Sequence, residues 1–170
     1  MPASSRQERA AVRAAQAGST DALESLYREH WPRAYRAAYL VVHDAAGAED
    51  IAQEAFLAAV RALDRFDRRR PFGPWLHRIV VNRAIDWARA RTLRSEVELA
   101  DTEAVADPPA ELDAIVAALG ALPPEQRGVI VLRHFLEYTP GEIAELLDLP
   151  RGTVNSRLRR GLDRMREQEA

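Results

Sequence analysis

The chain has no cysteine in its 170 residues, which excludes disulfides, thiolate metal centres and cysteine nucleophiles. It has no lysine either. All 24 basic residues are arginine, a bias that looks like a GC-rich genome more than a functional choice. No apolar run approaches the roughly eighteen residues of a membrane span. The start, MPASSRQERAAVRAAQAG, lacks the apolar core of a signal peptide. Membrane insertion is not expected and a cytoplasmic location is. The histidines, His30, His43, His77 and His134, are scattered, and no H-E-x-x-H or Walker-type glycine loop exists. Asp50 and Glu54 share a helical face and could ligate a metal, but no histidine stands beside them at ligand spacing. Neither an enzyme nor a bound metal or cofactor is expected.

What is present is an uneven charge. Residues 1–94 carry 16 Arg against 11 acids, net +5, while residues 95–113 carry seven acids and no base, net −7. Residues 114–170 balance at eight each. This partition reads as two units, 1–94 and 112–170, joined by an acidic linker at 95–111 with no sustained period and a Pro108-Pro109 pair. Seventeen or so flexible residues reach roughly 20–25 Å in root-mean-square terms. The tether is therefore long enough to lie across basic residues of the first unit and compete with DNA for them.

Every element with a clear period is helical, so the fold class is all-α: two small helical domains joined by a flexible acidic linker. Residues 6–17 read as a short Ala/Arg-rich helix. Ser19 or Thr20 caps a second helix running to about Val42, which Pro32 should bend or break. Asp44 opens a third, with Ile51, Ala55, Ala59, Leu63 and Phe66 on its apolar face. Its other face collects Asp50, Gln53, Glu54, Leu57, Arg61 and Asp64. A lone leucine among carboxylates and an amide suggests a protein-binding stripe, though a solvated helix face reads the same way.

Residues 66–75, FDRRRPFGPW, set Arg68, Arg69 and Arg70 between aromatics. Arginine neutralises phosphate while Phe72 and Trp75 offer faces for unstacked bases, a combination that holds single strands. A surface loop plugged into the core by Phe66 and Phe72 reads equally well. Pro74 opens a fourth helix, with Leu76, Val80, Ala84 and Trp87 on one face. Trp75, Arg78, Asn82, Asp86 and Arg89 lie on another, where Arg78 and Asn82 beside Trp75 could clamp a base.

After helices at about 112–119 and 124–136, the stretch TPGEIAELLDLPRGTVNSRLRRGLDRMR at 139–166 reads as a helix-turn-helix. Thr139, Pro140 and Glu142 make a capping box. Asp148 takes the turn position and tolerates a left-handed backbone better than most residues. Val154, Leu158, Leu162 and Met165 form the buried stripe of the second helix. Thr153, Ser156, Arg159 and Arg160 point away from it, with Asn155 and Arg157 on its flanks. Hydroxyls and arginines on a raised helix suit base edges and phosphates of a major groove. Gly161, inside that helix, costs roughly 1 kcal/mol against Ala.

Together these residues resemble a bacterial RNA polymerase sigma factor of the extracytoplasmic-function (ECF) group, over about 20–94 (region 2) and 112–167 (region 4). AEDIAQEAF at 48–56 looks like the family's polymerase-binding helix, and residues 61–86 look like its promoter-melting segment. The resemblance implies binding to core RNA polymerase, its β′ clamp helices and β subunit, through Asp50, Gln53, Glu54 and Leu57. It implies that Arg68, Arg69, Arg70, Phe72, Trp75, Arg78 and Asn82 engage the opened −10 strand of promoter DNA. It also implies that Arg151, Thr153, Asn155, Ser156, Arg157, Arg159 and Arg160 read the −35 element, and an anti-sigma factor is a common partner in the family. The nearest rival, a DNA-binding activator or repressor, would need a ligand or receiver domain, and it leaves the 48–57 stripe unexplained.

Overall fold

Helix boundaries in the computed structural model follow the caps written in the chain; the structure describes residues 6–97 and 110–169. Eight α-helices run as α1 (Arg6–Gln16), α2 (Thr20–Val42), α3 (Ala45–Ala62), α4 (Phe72–Val97), α5 (Ala110–Gly120), α6 (Pro124–Ile130), α7 (Pro140–Leu147) and α8 (Arg151–Glu169). No strand occurs among the described residues. Most of the stretch read as the acidic linker, 98–109, lies outside them, and so does the competition with DNA expected of it. At its near edge α4 runs through Val97, three residues into the stretch read as linker.

Ser19 caps α2, its hydroxyl accepting from Ala22 N, and Asp44 caps α3 by accepting from Gly47 N. Pro32 does not break α2, which is one helix from Thr20 to Val42. Proline removes one N–H and crowds the carbonyl four residues back. Here Pro32 and Arg28 both face solvent, where water can serve that carbonyl. The third helix ends sooner than its apolar period suggests. A 3₁₀ turn at Leu63–Arg65 follows it, and Gln16 Nε2 donates to Leu63 O (2.8 Å) and Phe66 O (3.1 Å). Phe72, not Pro74, begins α4. The helix expected at 124–136 widens toward its end: α6 stops at Ile130 and a π-type turn covers Val131–Phe135.

In the N-terminal half α2, α3 and α4 pack face to face, with Ala34, Ala37, Ala38, Ala48, Ala52 and Ala55 fully buried between them. Small side chains allow close approach of the helix backbones. Gly47 is the extreme case, since a Cβ there would stand 2.7 Å from Trp87. The C-terminal half closes α8 over α6. A Cβ on Gly161 would meet Ile130 Cδ1 at 2.6 Å, so the glycine that weakens α8 as a helix lets it pack.

The two halves meet along α6, and their buried residues form one continuous core. Gly128 makes the contact close, for a Cβ on it would lie 2.6 Å from Ile85 Cδ1 and 3.5 Å from Val81 Cγ1 of α4. Polar bonds flank this seam. His77 Nδ1 lies 2.7 Å from the Tyr138 hydroxyl in a buried pair. The Arg127 guanidinium, 9 % exposed, donates to the carbonyls of Val41, Leu119 (3.0 Å), Gly120 (3.1 Å) and Leu122 (2.9 Å). Arg89 of α4 is paired with Glu125 of α6 at the surface.

Candidate nucleic-acid interface

The helix-turn-helix is built as its sequence predicts. Thr139 Oγ1 accepts from Glu142 N while Glu142 returns its carboxylate to Thr139 N, two otherwise orphaned donors satisfied at one helix start. Asp148 takes the left-handed turn at φ 52°, and its N–H donates to Ala144 O. Ile143 and Val154 are fully buried where α7 and α8 cross. The outer face of α8 differs in detail from the helical-wheel reading. Arg151, Asn155, Arg159 and Arg160 are exposed, whereas Thr153, Ser156 and Arg157 are half-buried. Ser156 Oγ donates back to Thr153 O at 3.0 Å, so its hydroxyl is already occupied. Asn155, expected on the flank, is the amide that faces out. Asp163 lies 3.4 Å from Arg166 and 3.9 Å from Arg159, closing the basic strip at its C-terminal end.

In the N-terminal half the arginine-aromatic segment sorts into two roles. Phe72, 3 % exposed, is a correction: it offers no face to a base. Its ring lies 6.0 Å from Phe66 and 5.7 Å from Trp75, and Phe66 stacks on Trp75 at 4.5 Å. The two phenylalanines are core plugs that hold Trp75, whose ring is half-buried. Asp67 organises the arginines by accepting from Arg69 N and from its guanidinium at 2.9 Å. That guanidinium holds the exposed Asp67 carboxyl down at about 2. Among the described residues Arg68 and Arg70 have no acid within ion-pair distance. Arg70, Trp75 and Arg78 line one cleft of about 290 Å³ with Pro71 and Pro74, and Glu145 and Leu146 of α7 form its opposite wall. Asn82 is half-buried further along α4 and does not line that cleft.

The third surface is α3. Asp50, Gln53, Glu54 and Leu57 are all exposed, Leu57 by 53 %. Glu54 accepts from Arg83 of α4 at 2.8 Å, a partner the sequence reading did not single out. Beside the stripe runs an apolar groove of about 380 Å³ between α2 and α3, lined by Leu23, Tyr27, Phe56, Leu57 and Val60. Only Leu57 was legible beforehand, because Tyr27 and Leu23 reach it from another helix.

Fold and surfaces define a two-part, all-helical DNA-binding protein that pairs a helix-turn-helix with a separate basic, aromatic cleft. Comparison with known proteins makes the class specific. Residues 26–94 match the family Sigma-70 region 2, and residues 112–165 match Sigma-70, region 4. The chain is 35 % identical over 169 residues to the ECF RNA polymerase sigma factor SigW of Bacillus subtilis, covering 89 % of this chain and 90 % of the relative. It is 34 % identical over 152 residues to SigM of Mycobacterium tuberculosis, covering 88 % and 78 %. Among solved structures, CnrH in complex with the cytosolic domain of CnrY superposes with a TM-score of 0.73 at 28 % identity, covering 95 % of this chain and 96 % of that one. RpoE of Bartonella quintana, solved with the anti-sigma factor NepR, shares the fold at a TM-score of 0.72 and 24 % identity, over 85 % and 94 %. The chain belongs to the ECF sigma factors of RNA polymerase.

Proposed function

We propose that this sigma factor directs promoter-specific initiation through three surfaces with separate tasks. The α3 stripe of Asp50, Gln53, Glu54 and Leu57, with the groove beside it, docks on the clamp helices of core polymerase. The cleft of Arg70, Trp75 and Arg78, together with Arg68, Arg69 and Asn82, holds the opened −10 strand. Arg151, Asn155, Arg159 and Arg160, with Thr153, Ser156 and Arg157 beneath them, enter the −35 major groove. The nucleotide chemistry belongs to the polymerase, and the work is done on DNA in the cytoplasm. An anti-sigma factor, of the kind RpoE is bound to, fits the apolar groove lined by Leu40, Ile115, Leu119, Phe135 and Met165, where Ile115 is 53 % exposed.

The observation that carries the reading is Leu57, more than half exposed amid carboxylates and continuous with an apolar groove. Isolated exposed leucines are ordinary, but a contiguous apolar groove bordered by charge marks a protein-binding surface. Asp50→Arg with Glu54→Arg reverses that border without touching the core. The double variant is expected to keep its helical circular dichroism and to lose capture by core polymerase. Retained capture would remove α3 from the interface.

A further inference from the structure

The seam between the halves contains a buried polar bond from ring to ring. Tyr138 of the C-terminal half is fully buried, and its hydroxyl lies 2.7 Å from Nδ1 of His77, itself 5 % exposed on α4. The rings stand edge to face with centroids 6.0 Å apart. The backbone bends to bring the tyrosine there. The π-type turn at Val131–Phe135 ends just before it, and Glu137 takes a left-handed backbone at φ 63°, which a glutamate seldom adopts. Tyr138 N then donates to Leu132 O at 3.0 Å, and Arg133 donates to Tyr138 O at 3.2 Å. Such conformations persist where the surroundings over-determine them, and they gather at switch regions.

That bond suits a neutral imidazole. Neutral His77 can donate from Nδ1 to the Tyr138 oxygen and leave only a lone pair at Nε2. A protonated ring must put a second N–H at Nε2, which has no hydrogen-bond partner among the described residues. A buried donor left in that state is costly, the more so when it is charged. The groups that face His77 are His30 and Arg33 of α2, Glu8 of α1 and Tyr138 itself, with Glu142 of α7 behind the tyrosine. Glu8 Oε1 lies 3.0 Å from His30 Nε2. Burial, then His30 and Arg33, lower the His77 pKa from 6.5 to about 3, against the opposing charge of Glu8. Burial also pushes the Tyr138 hydroxyl up, so the phenol keeps its proton throughout.

We propose that the His77–Tyr138 pair is an acid-sensitive latch: neutral His77 holds the two halves docked, and protonation of His77 releases Tyr138 and opens the seam. Opening admits water to the imidazole, so its pKa returns toward 6.5. Because the docked value is the depressed one, the latch supports docking fully above about pH 6.5 and loses that support as pH falls toward 3. The ratio of open to docked chain should therefore rise about tenfold between about pH 7.5 and about pH 5.5. The consequence for DNA rests on the proposed role of the arginine cleft. In the docked form Glu145 and Leu146 of α7 wall the cleft of Arg70, Trp75 and Arg78, and opening removes that wall.

The test is energy transfer between two dyes on the full-length chain, with circular dichroism at each pH to show that the helices persist. Because the chain has no cysteine, Ser25→Cys and Glu167→Cys, both at exposed positions, place one dye on each half. The labelled parent also carries His43→Asn, since a Cβ on Gly120 of α5 would lie 3.2 Å from His43 Nδ1, and that imidazole would titrate at the same seam. The parent is expected to open about tenfold more between about pH 7.5 and about pH 5.5. His77→Gln can still bond the hydroxyl but takes no proton, so its change should stay below about threefold. Tyr138→Phe keeps the ring and removes the bond, and should stand at least about threefold more open than the parent at pH 7.5. It carries the test even where His77→Gln compromises folding. A parent that does not open with acid, a larger rise in His77→Gln, or a Tyr138→Phe chain as closed as the parent overturns the latch. Binding of a labelled oligothymidylate, followed alongside, should strengthen as the seam opens. Opening without stronger binding leaves the latch standing and counts against the cleft as the strand site.

Discussion

Arg160 and Ser156 look equivalent on a helical wheel and differ in the structure. Arg160 is exposed on the outer face of α8, whereas Ser156 spends its hydroxyl proton on Thr153 O. Arg160→Ala is therefore expected to cost about 1–3 kcal/mol in upstream-element recognition and to relax the base preference there. Ser156→Ala should cost clearly less. Footprinting on upstream-element variants separates a base contact from a phosphate contact, since losing the latter weakens all sequences alike. His43 gives a second test at this scale. It ends α2 in a left-handed turn, its ring bonds Leu40 O, and burial followed by the charge of Arg127 lowers its pKa from 6.5 to about 4. Because the folded value is depressed, protonation favours the unfolded chain. The stability His43 contributes is complete above about pH 6.5 and lost as pH falls toward 4. His43→Asn, with a side chain that tolerates the same turn, should lose less stability over that window in thermal melts at matched pH.

Among the elements, α6 is the shortest helix and the most constrained. Gly128 lets it approach α4, Gly161 of α8 lets α8 approach it, and Arg127 ties the ends of α2 and α5 to it through four carbonyls. A buried charge is tolerable here because its donors are met, and the carbonyls in turn depend on it. Arg127→Met keeps the bulk of the stem but leaves those carbonyls without a donor. It should destabilise the protein by upwards of about 3 kcal/mol, read as a lower urea midpoint with little change in m. A loss below about 1 kcal/mol would mean that water replaces the guanidinium at no real cost.

At the scale of the molecule, the docked halves cannot be the promoter-bound form. A chain of this length folded compactly has a radius of gyration of about 15 Å and is about 40 Å across. Elements at −10 and −35 lie about 25 base pairs apart, roughly 85 Å of duplex. In the docked form Glu145 and Leu146 of α7 also wall the cleft of Arg70, Trp75 and Arg78, where the −10 strand is proposed to lie. Promoter engagement as proposed therefore needs the seam to open, and polymerase docked on α3, as proposed, would hold the halves apart from a surface away from the seam. The chain has no cysteine, so a lock can be placed cleanly. A Cβ on Gly128 would lie 2.9 Å from Ile85 Cγ1, which brings the two Cβ atoms within disulfide range. Ile85→Cys with Gly128→Cys should form that bond, abolish promoter-directed transcription when oxidised and recover it with reductant. Full activity in the oxidised state would show that docking and promoter engagement are compatible.

The caps of α2, α3 and α7, the turn at Asp148 and the exposed stripe on α3 were legible in the chain alone. Each depends on residues within four or so positions of one another, where helix geometry fixes who meets whom. The same locality explains the misreadings. Pro32 was expected to bend or break α2, and it does not break it, because its lost carbonyl partner faces solvent. Phe72 was counted among the DNA contacts, though its burial depends on Phe66 and on His30 of α2 as well as on Trp75 of its own helix. Gly161 looked like a defect until Ile130 was found against it. Local sequence thus determined the helices, their polarity and the two DNA-reading motifs. Only tertiary structure decided that Gly128 seats on Ile85, that His77 meets Tyr138, and that the two halves share one core. Those contacts join residues 43 and 61 positions apart, and no period or cap in the chain encodes such a distance.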